Sequence, residues 1–586
     1  MMKKFLTAML GSIAGFWISL IILVITFILF IIVAVGNNVE QSISLTPNSV
    51  LHIELKGVIS EREKSIESIY DIQSFNENAI SYRDIINAIY SAKDDANIEG
   101  IYLDCYGSEL GIASRQEIVE AIADFKQSGK WVYAYADNYV QGDYYIASVA
   151  DSIFLNPIGA IDIHGLSATT FFYKGLMDKI GIEAQILKVG TYKSAVEPFI
   201  LTKMSDASRE QEKHYLGNIW NNICSEIAQN RNTTTLKINQ WADSLIFTQQ
   251  PDFYINEKIA DKLYYRSQVE TVVKNKLNLT ESEKLNLITV KKYHTLSNFL
   301  GNNNLGEHLA ILFATGDIVD NGEGGIVGEK MVPQILELAK DDNVKGLILR
   351  INSGGGSAFA SEQIWHALEQ FKDTGKPFYV SMGDVAASGG YYISCGADKI
   401  YAEPTTLTGS IGIFGIIPNI QKLLNNNLGI TSDNVSTNLN GDFPSFTSPM
   451  TEIQKEKMQA LIENGYKTFV NRCANGRGIP VDSILKIAEG RVWDGLSAKE
   501  IGLVDQFGGL EKVIDDMKEA TGISQTIDYP IYTPSILDQI VNSNSLVNNK
   551  IISSTNIQEI KEYYKFISRI KQMSPIQCKM EDITIK

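Results

Sequence analysis

Gly346-Leu347-Ile348-Leu349-Arg350-Ile351-Asn352-Ser353-Gly354-Gly355-Gly356-Ser357 passes from an apolar run into a loop of small residues. Ala360 to Lys372 follows, with apolar positions at Ile364, Ala367, Leu368 and Phe371. The first run reads as a buried strand, and the later spacing predicts a helix. Phe378 to Ser381 reads as the next strand. Strand–helix–strand order implies parallel pairing through right-handed crossovers, hence an α/β fold.

The same unit occurs twice. Asp94-Asp95-Ala96-Asn97-Ile98-Glu99-Gly100-Ile101-Tyr102-Leu103 matches Asp341 to Arg350 with Gly100 on Gly346, and Phe125-Lys126-Gln127-Ser128-Gly129-Lys130 matches Phe371 to Lys376 at that same offset of 246. Farther on, Tyr144-Tyr145-Ile146-Ala147 matches Tyr391-Tyr392-Ile393-Ser394 at an offset one residue larger. The length change therefore falls at Ser388. An internal repeat of this size predicts two tandem α/β units, 45–295 and 305–525, joined through Asn302-Asn303-Asn304, with good turn chemistry around it. Residues 526–586 read as a polar extension with one amphipathic helix, 556–571.

Composition sets limits. A chain of 586 residues exceeds one core. A net charge of −16 without a basic patch excludes a nucleic-acid surface. The five cysteines have no metal-ligand spacing and read as small buried hydrophobes. No metal or cofactor is expected. Lys3-Lys4 precede an uncharged apolar run, residues 5–36. About 20 apolar residues span a bilayer, and a cleaved signal peptide has a shorter core. The run predicts an uncleaved signal anchor, with residues 1–4 cytoplasmic and the body exported.

Two successive strand ends carry the chemistry. The first is Asn352-Ser353-Gly354-Gly355-Gly356, and the second is Ala386-Ala387-Ser388-Gly389-Gly390-Tyr391-Tyr392. Parallel strands present such ends on one edge, where ligands bind. A glycine loop there can cradle a phosphate or aim amides at a developing oxyanion. The first loop lacks both the Gly-Lys-Ser/Thr ending of a P-loop and the dinucleotide fingerprint. Ser388, flanked by small residues, reads as a nucleophile, which needs a base. All six histidines precede it, and His366 lies within the predicted helix as a surface or packing residue. A lysine is the other candidate, serving when burial favours its neutral amine.

These motifs, with Leu407-Thr408-Gly409-Ser410-Ile411-Gly412, resemble the signal peptide peptidase A (protease IV) family in its long, two-unit form, from the anchor to about residue 525. The resemblance implies a Clp protease/crotonase-type fold and a Ser-Lys dyad peptidase. It implies Ser388 as nucleophile and the amides of Gly355 and Gly389 as oxyanion donors. Val189-Gly190-Thr191-Tyr192-Lys193-Ser194-Ala195-Val196-Glu197-Pro198-Phe199 resembles the segment carrying that family's base, which implies Lys193 in that role and Ser410 as the serine positioning it. Gly354 stands where the family usually has proline. The first unit has Gln141-Gly142-Asp143 in place of the serine turn, and the second has Asn440-Gly441-Asp442 in the approximate place of Lys193. One site shared by two units is the economical reading. The resemblance further implies cleaved signal peptides and similar apolar peptides as substrates, on the exported face of a bacterial inner membrane, and a ring-shaped homo-oligomer, a tetramer. Two other classes fit parts of the pattern: a crotonase-type acyl-CoA enzyme and a non-catalytic anchored scaffold.

Overall fold

The computed structural model describes residues 15, 19, 45–62, 80–293, 306–322, 324–530, 576–580 and 585. The expected anchor, apart from Gly15 and Ser19, lies outside them, as do the Asn302–Asn304 linker and the 556–571 helix. Among the described residues no helix is long and apolar enough to cross a membrane.

The first unit contributes strands β1 (Ser49–Val58), β2 (Ile98–Glu109), β3 (Trp131–Ala136), β4 (Ser152–Leu155) and β5 (Glu183–Lys188). The second contributes β6 (His308–Thr315), β7 (Val344–Ser353), β8 (Gly355–Ser357), β9 (Phe378–Ala387), β10 (Lys399–Ala402), β11 (Leu407–Gly409), β12 (Phe414–Asn419), β13 (Val492–Asp494) and β14 (Thr526–Tyr529). The last strand is β15 (Ile576–Lys579). Six helices matter for the site: α1 (Ile112–Lys126), α2 (Gln141–Ala147), α3 (Asp206–Asn230), α4 (Ala358–Lys372), α5 (Gly389–Ser394) and α6 (Glu452–Arg477).

In the first sheet the order is β4-β3-β2-β1, all parallel, with Lys262–Leu263 beside β4 and Leu287–Thr289 beside β1. The second sheet repeats this plan as β11-β9-β7-β6-β14, also parallel, with β13 antiparallel on β11 and β10 branching from β9. Strand β7 is buried along nearly its whole length, as expected where helices cover both faces of a parallel sheet. Helix α4 starts where Ser357 Oγ accepts from the Ala360 amide at 3.2 Å, a side-chain N-cap. It buries Ile364, Ala367, Leu368 and Phe371, the four positions the spacing selects.

A third sheet joins the units. Strand β5 of the first pairs antiparallel with β12 of the second, which pairs with β15, which pairs with β8. The polar extension is thus partly strand. Thr526–Tyr529 forms the edge of the second sheet, and Ile576–Lys579 is inserted in the third. Its alternation of apolar and polar residues is too short to separate from loop in the sequence.

The contact between units is polar as well as apolar. Arg350, fully buried at the end of β7, reaches Glu61 Oε1 through Nε at 2.7 Å and Glu117 Oε1 through Nη2 at 2.8 Å. Asp384 accepts from the Ser114 amide at 3.0 Å and from its hydroxyl at 2.7 Å. Ala387, Leu407 and Val492 of the second unit belong to the apolar core of the first. A buried charge left without its partner is costly, so this joint fixes the relative placement of the two halves.

Candidate active site

Strand β9 ends at Ala387, and α5 begins at Gly389. Between them Ser388 takes φ 56° and ψ −113°, a positive φ that a non-glycine residue adopts only under constraint. The constraint is visible. Its amide donates to Gly409 O at 2.8 Å, tying it to β11. Ser388 is the N-cap of α5 but makes no side-chain cap, although a serine there ordinarily caps its helix. Its hydroxyl is turned to the other unit.

There it meets Lys193. Nζ and Ser388 Oγ are hydrogen-bonded at 2.7 Å, and the same amine donates to Ser410 O and Ser410 Oγ, each at 3.0 Å. Lys193 is 1% exposed and Ser388 0%. The lysine belongs to the first unit in sequence, yet the second unit's backbone holds it. The Val189 amide donates to Ile413 O at 3.2 Å and the Tyr192 amide to Glu489 O at 3.0 Å. Gly490, at φ +78°, lies under the lysine, where an added Cβ would stand 2.7 Å from Lys193 Cβ. Glycine is required there by both conformation and space. Ser410, also at positive φ (51°), is fixed by its amide bond to Arg491 O at 2.7 Å.

The glycine loop lies alongside. A Cβ on Gly355 would fall 2.6 Å from the Gly389 amide nitrogen, so both expected oxyanion residues adjoin Ser388. Gly389 is the first residue of α5, whose amide has no acceptor within its own helix. The Gly355 amide donates to Ser353 Oγ at 3.1 Å, so a second donor becomes available when that bond turns aside. Ser353 had no signal of its own in the sequence beyond its place before the glycines. His366 is on the exposed face of α4, against Gln370. Asn440-Gly441-Asp442 is an exposed turn.

A family model described as peptidase family S49 matches residues 124–280 and 370–524. The chain belongs to that family. A second model, Clp protease, matches residues 311–407, the β6 to β11 span that contains Ser388. Among S49 relatives, "Protease 4" of Salmonella typhi is 36% identical over 525 residues, covering 87% of this chain and 84% of that protein. "Protease 4" of Haemophilus influenzae is 32% identical over 596 residues, with 99% and 96% coverage. "Serine protease SPPA, chloroplastic" of Arabidopsis thaliana is 29% identical over 489 residues, with 81% and 69% coverage. This S49 protein is a serine endopeptidase, with two tandem α/β units of which one is Clp protease-like.

Proposed function

We propose that the peptidase works through a Ser388–Lys193 dyad completed across the two units. The observation that carries the reading is the buried 2.7 Å contact between Nζ and Oγ, with Ser410 holding the amine from a second side. Desolvation penalises the ammonium form, and Lys193 is cut off from water. The neutral amine takes the Ser388 proton as Oγ attacks the peptide carbonyl, then passes it to the leaving amine. The oxyanion rests on the Gly389 amide and, once released from Ser353, on that of Gly355. Water then hydrolyses the acyl-enzyme.

The substrates in this reading are cleaved signal peptides and other extended apolar peptides. Residues 5–36 anchor the chain as a single pass in a bacterial inner membrane, with its N-terminus cytoplasmic and its body periplasmic. The apolar run behind Lys3-Lys4 supports this placement, and association into a ring, a tetramer, completes the reading. Hydrolysis of a quenched apolar peptide by the wild type, Ser388→Ala and Lys193→Ala tests the dyad. Activity is expected to vanish in both variants while their thermal melts persist, and wild-type turnover in either would end the assignment. Fractionation of membranes and light scattering of the detergent-solubilised protein test the anchor and the ring.

A further inference from the structure

Ser388 and Lys193 are buried because something covers them. Strand β15 lies antiparallel to the glycine loop, with Gly355 opposite Lys579, Gly356 opposite Cys578 and Ser357 opposite Gln577. On its other side it pairs with β12, Phe414 opposite Gln577 and Gly415 opposite Ile576. The Met580 amide donates to Gly354 O at 2.7 Å, extending the ladder past the loop. An extended peptide adding a strand to an exposed sheet edge is a standard mode of peptide recognition. Here the added strand comes from the protein itself.

Its register is that of a substrate. A Cβ on Gly355 would lie 2.2 Å from Cys578 O and 2.6 Å from the Gly389 amide nitrogen, so the Cys578 carbonyl shares its place with the expected oxyanion donors. A Cβ on Gly389 would stand 3.0 Å from both Cys578 O and Cys578 Sγ. The Cys578 side chain is fully buried, with Sγ 3.5 Å from Ser361 Oγ. Beyond it, Lys579 turns outward to Asp317 Oδ2 at 3.2 Å. A carbonyl at the amides, a small side chain in a closed pocket and a long one emerging on the far side are what a bound peptide presents to a serine peptidase.

We propose that residues 576–580 are a built-in occupant of the substrate groove, so that a peptide enters only when this strand leaves, and that the residue taking the place of Cys578 must be small. The proposal rests on the reading of Ser388 and Lys193 as the peptidase site. The groove lies between β8 and β12, and a tethered segment competes for it at an effective concentration of about millimolar.

The test measures binding, in chains that all carry Ser388→Ala, so it does not depend on catalysis. The probe is a fluorescein-labelled peptide of the sequence Ser574 to Asp582. The full chain is compared with one carrying Cys578→Arg, which places a long cation in the closed pocket and expels the strand. The expected result is binding at least about tenfold tighter to the Cys578→Arg chain. A chain ending at residue 575 repeats the comparison should the arginine variant fail to fold. Equal affinity with and without the strand, or no binding to either form, overturns the proposal. A probe with arginine at the cysteine position is expected to lose binding to the released groove, and unchanged binding overturns the size requirement. A failure of the dyad itself appears separately, as hydrolysis that survives Ser388→Ala.

Discussion

The two units end the same pair of strands differently. In the second, the turn after β9 carries Ser388 and the loop after β7 carries glycines. In the first, the helix after β3 carries Asp143, and the last residues of β2 fold onto it. The Gly107 amide donates to Asp143 Oδ2 at 2.9 Å and the Ser108 amide at 3.2 Å, the Ser108 hydroxyl adds a short bond, and Arg115 stands 3.9 Å away. Burial pushes the Asp143 carboxyl up, opposed by these hydrogen bonds and by Arg115. Both units therefore bring the amides at the end of one strand towards the turn that follows the next. One closes them on a carboxylate, and in the proposed mechanism the other serves a charge that exists only during reaction. The strand end is the inherited device, and the residue placed on it decides between structure and chemistry.

The contrast breaks most visibly at the dyad. Ser388→Ala or Lys193→Ala is expected to lower kcat by about 10⁴-fold or more, as in other serine hydrolases stripped of nucleophile or base, and initial-rate peptide hydrolysis measures it. Asp143→Ala should do the reverse. It leaves the Gly107 and Ser108 amides without their acceptor and deprives Arg115 of its carboxylate while its bond to the Ser108 carbonyl remains, costing about 2–4 kcal/mol of stability in denaturant titration, while the folded fraction keeps near wild-type turnover.

Ser410→Ala removes one of the two contacts that the residue makes with Lys193 Nζ and keeps the carbonyl. A loss of one hydrogen bond of about 1–1.5 kcal/mol corresponds to roughly tenfold in kcat, read from initial rates of peptide hydrolysis.

The smallest effect concerns the joint between the units. Glu403 is fully buried in the second unit, and desolvation, with Glu120 and Glu117 of the first unit nearby, pushes its carboxyl well above the usual range. Because the folded state holds the proton more tightly than the unfolded chain, this stability is complete below the unfolded pKa. It declines as pH rises from there towards the folded value. Glu403→Gln does not titrate. Its unfolding free energy should match the wild type near pH 4 and exceed it increasingly above, by up to about 1.4 kcal/mol per pH unit, with the melting temperature following. Parallel pH profiles of the two proteins across that range would show that Glu403 does not hold its proton in the folded state.

Much of this was legible in the chain itself. The repeat, the strand–helix–strand order and the two glycine-rich strand ends are local patterns, and each carries its physical reason within a dozen residues. Lys193 was legible through the resemblance of its segment, because composition alone separates one lysine from the others poorly. What stayed hidden depends on pairing between distant segments. Arg350 lies within a run that reads as a buried strand, and only the packed units show it held by Glu61 and Glu117. Cys578 reads as a small buried hydrophobe, and it is buried. That it is buried beside the glycine loop, in a strand flanked by β8 and β12 of the second unit, follows from the register of β15 on those strands. Four residues of alternating polarity do not encode that register.

In the proposed mechanism one site is assembled from both halves, with a base 195 positions before its nucleophile. Acylation of Ser388 by a fluorophosphonate probe, located by peptide mapping, tests it most directly when wild type and Lys193→Met are compared. Labelling of Ser388 is expected in the wild type and lost in Lys193→Met, with both chains folded. Equal labelling of Ser388 in the two proteins would contradict it.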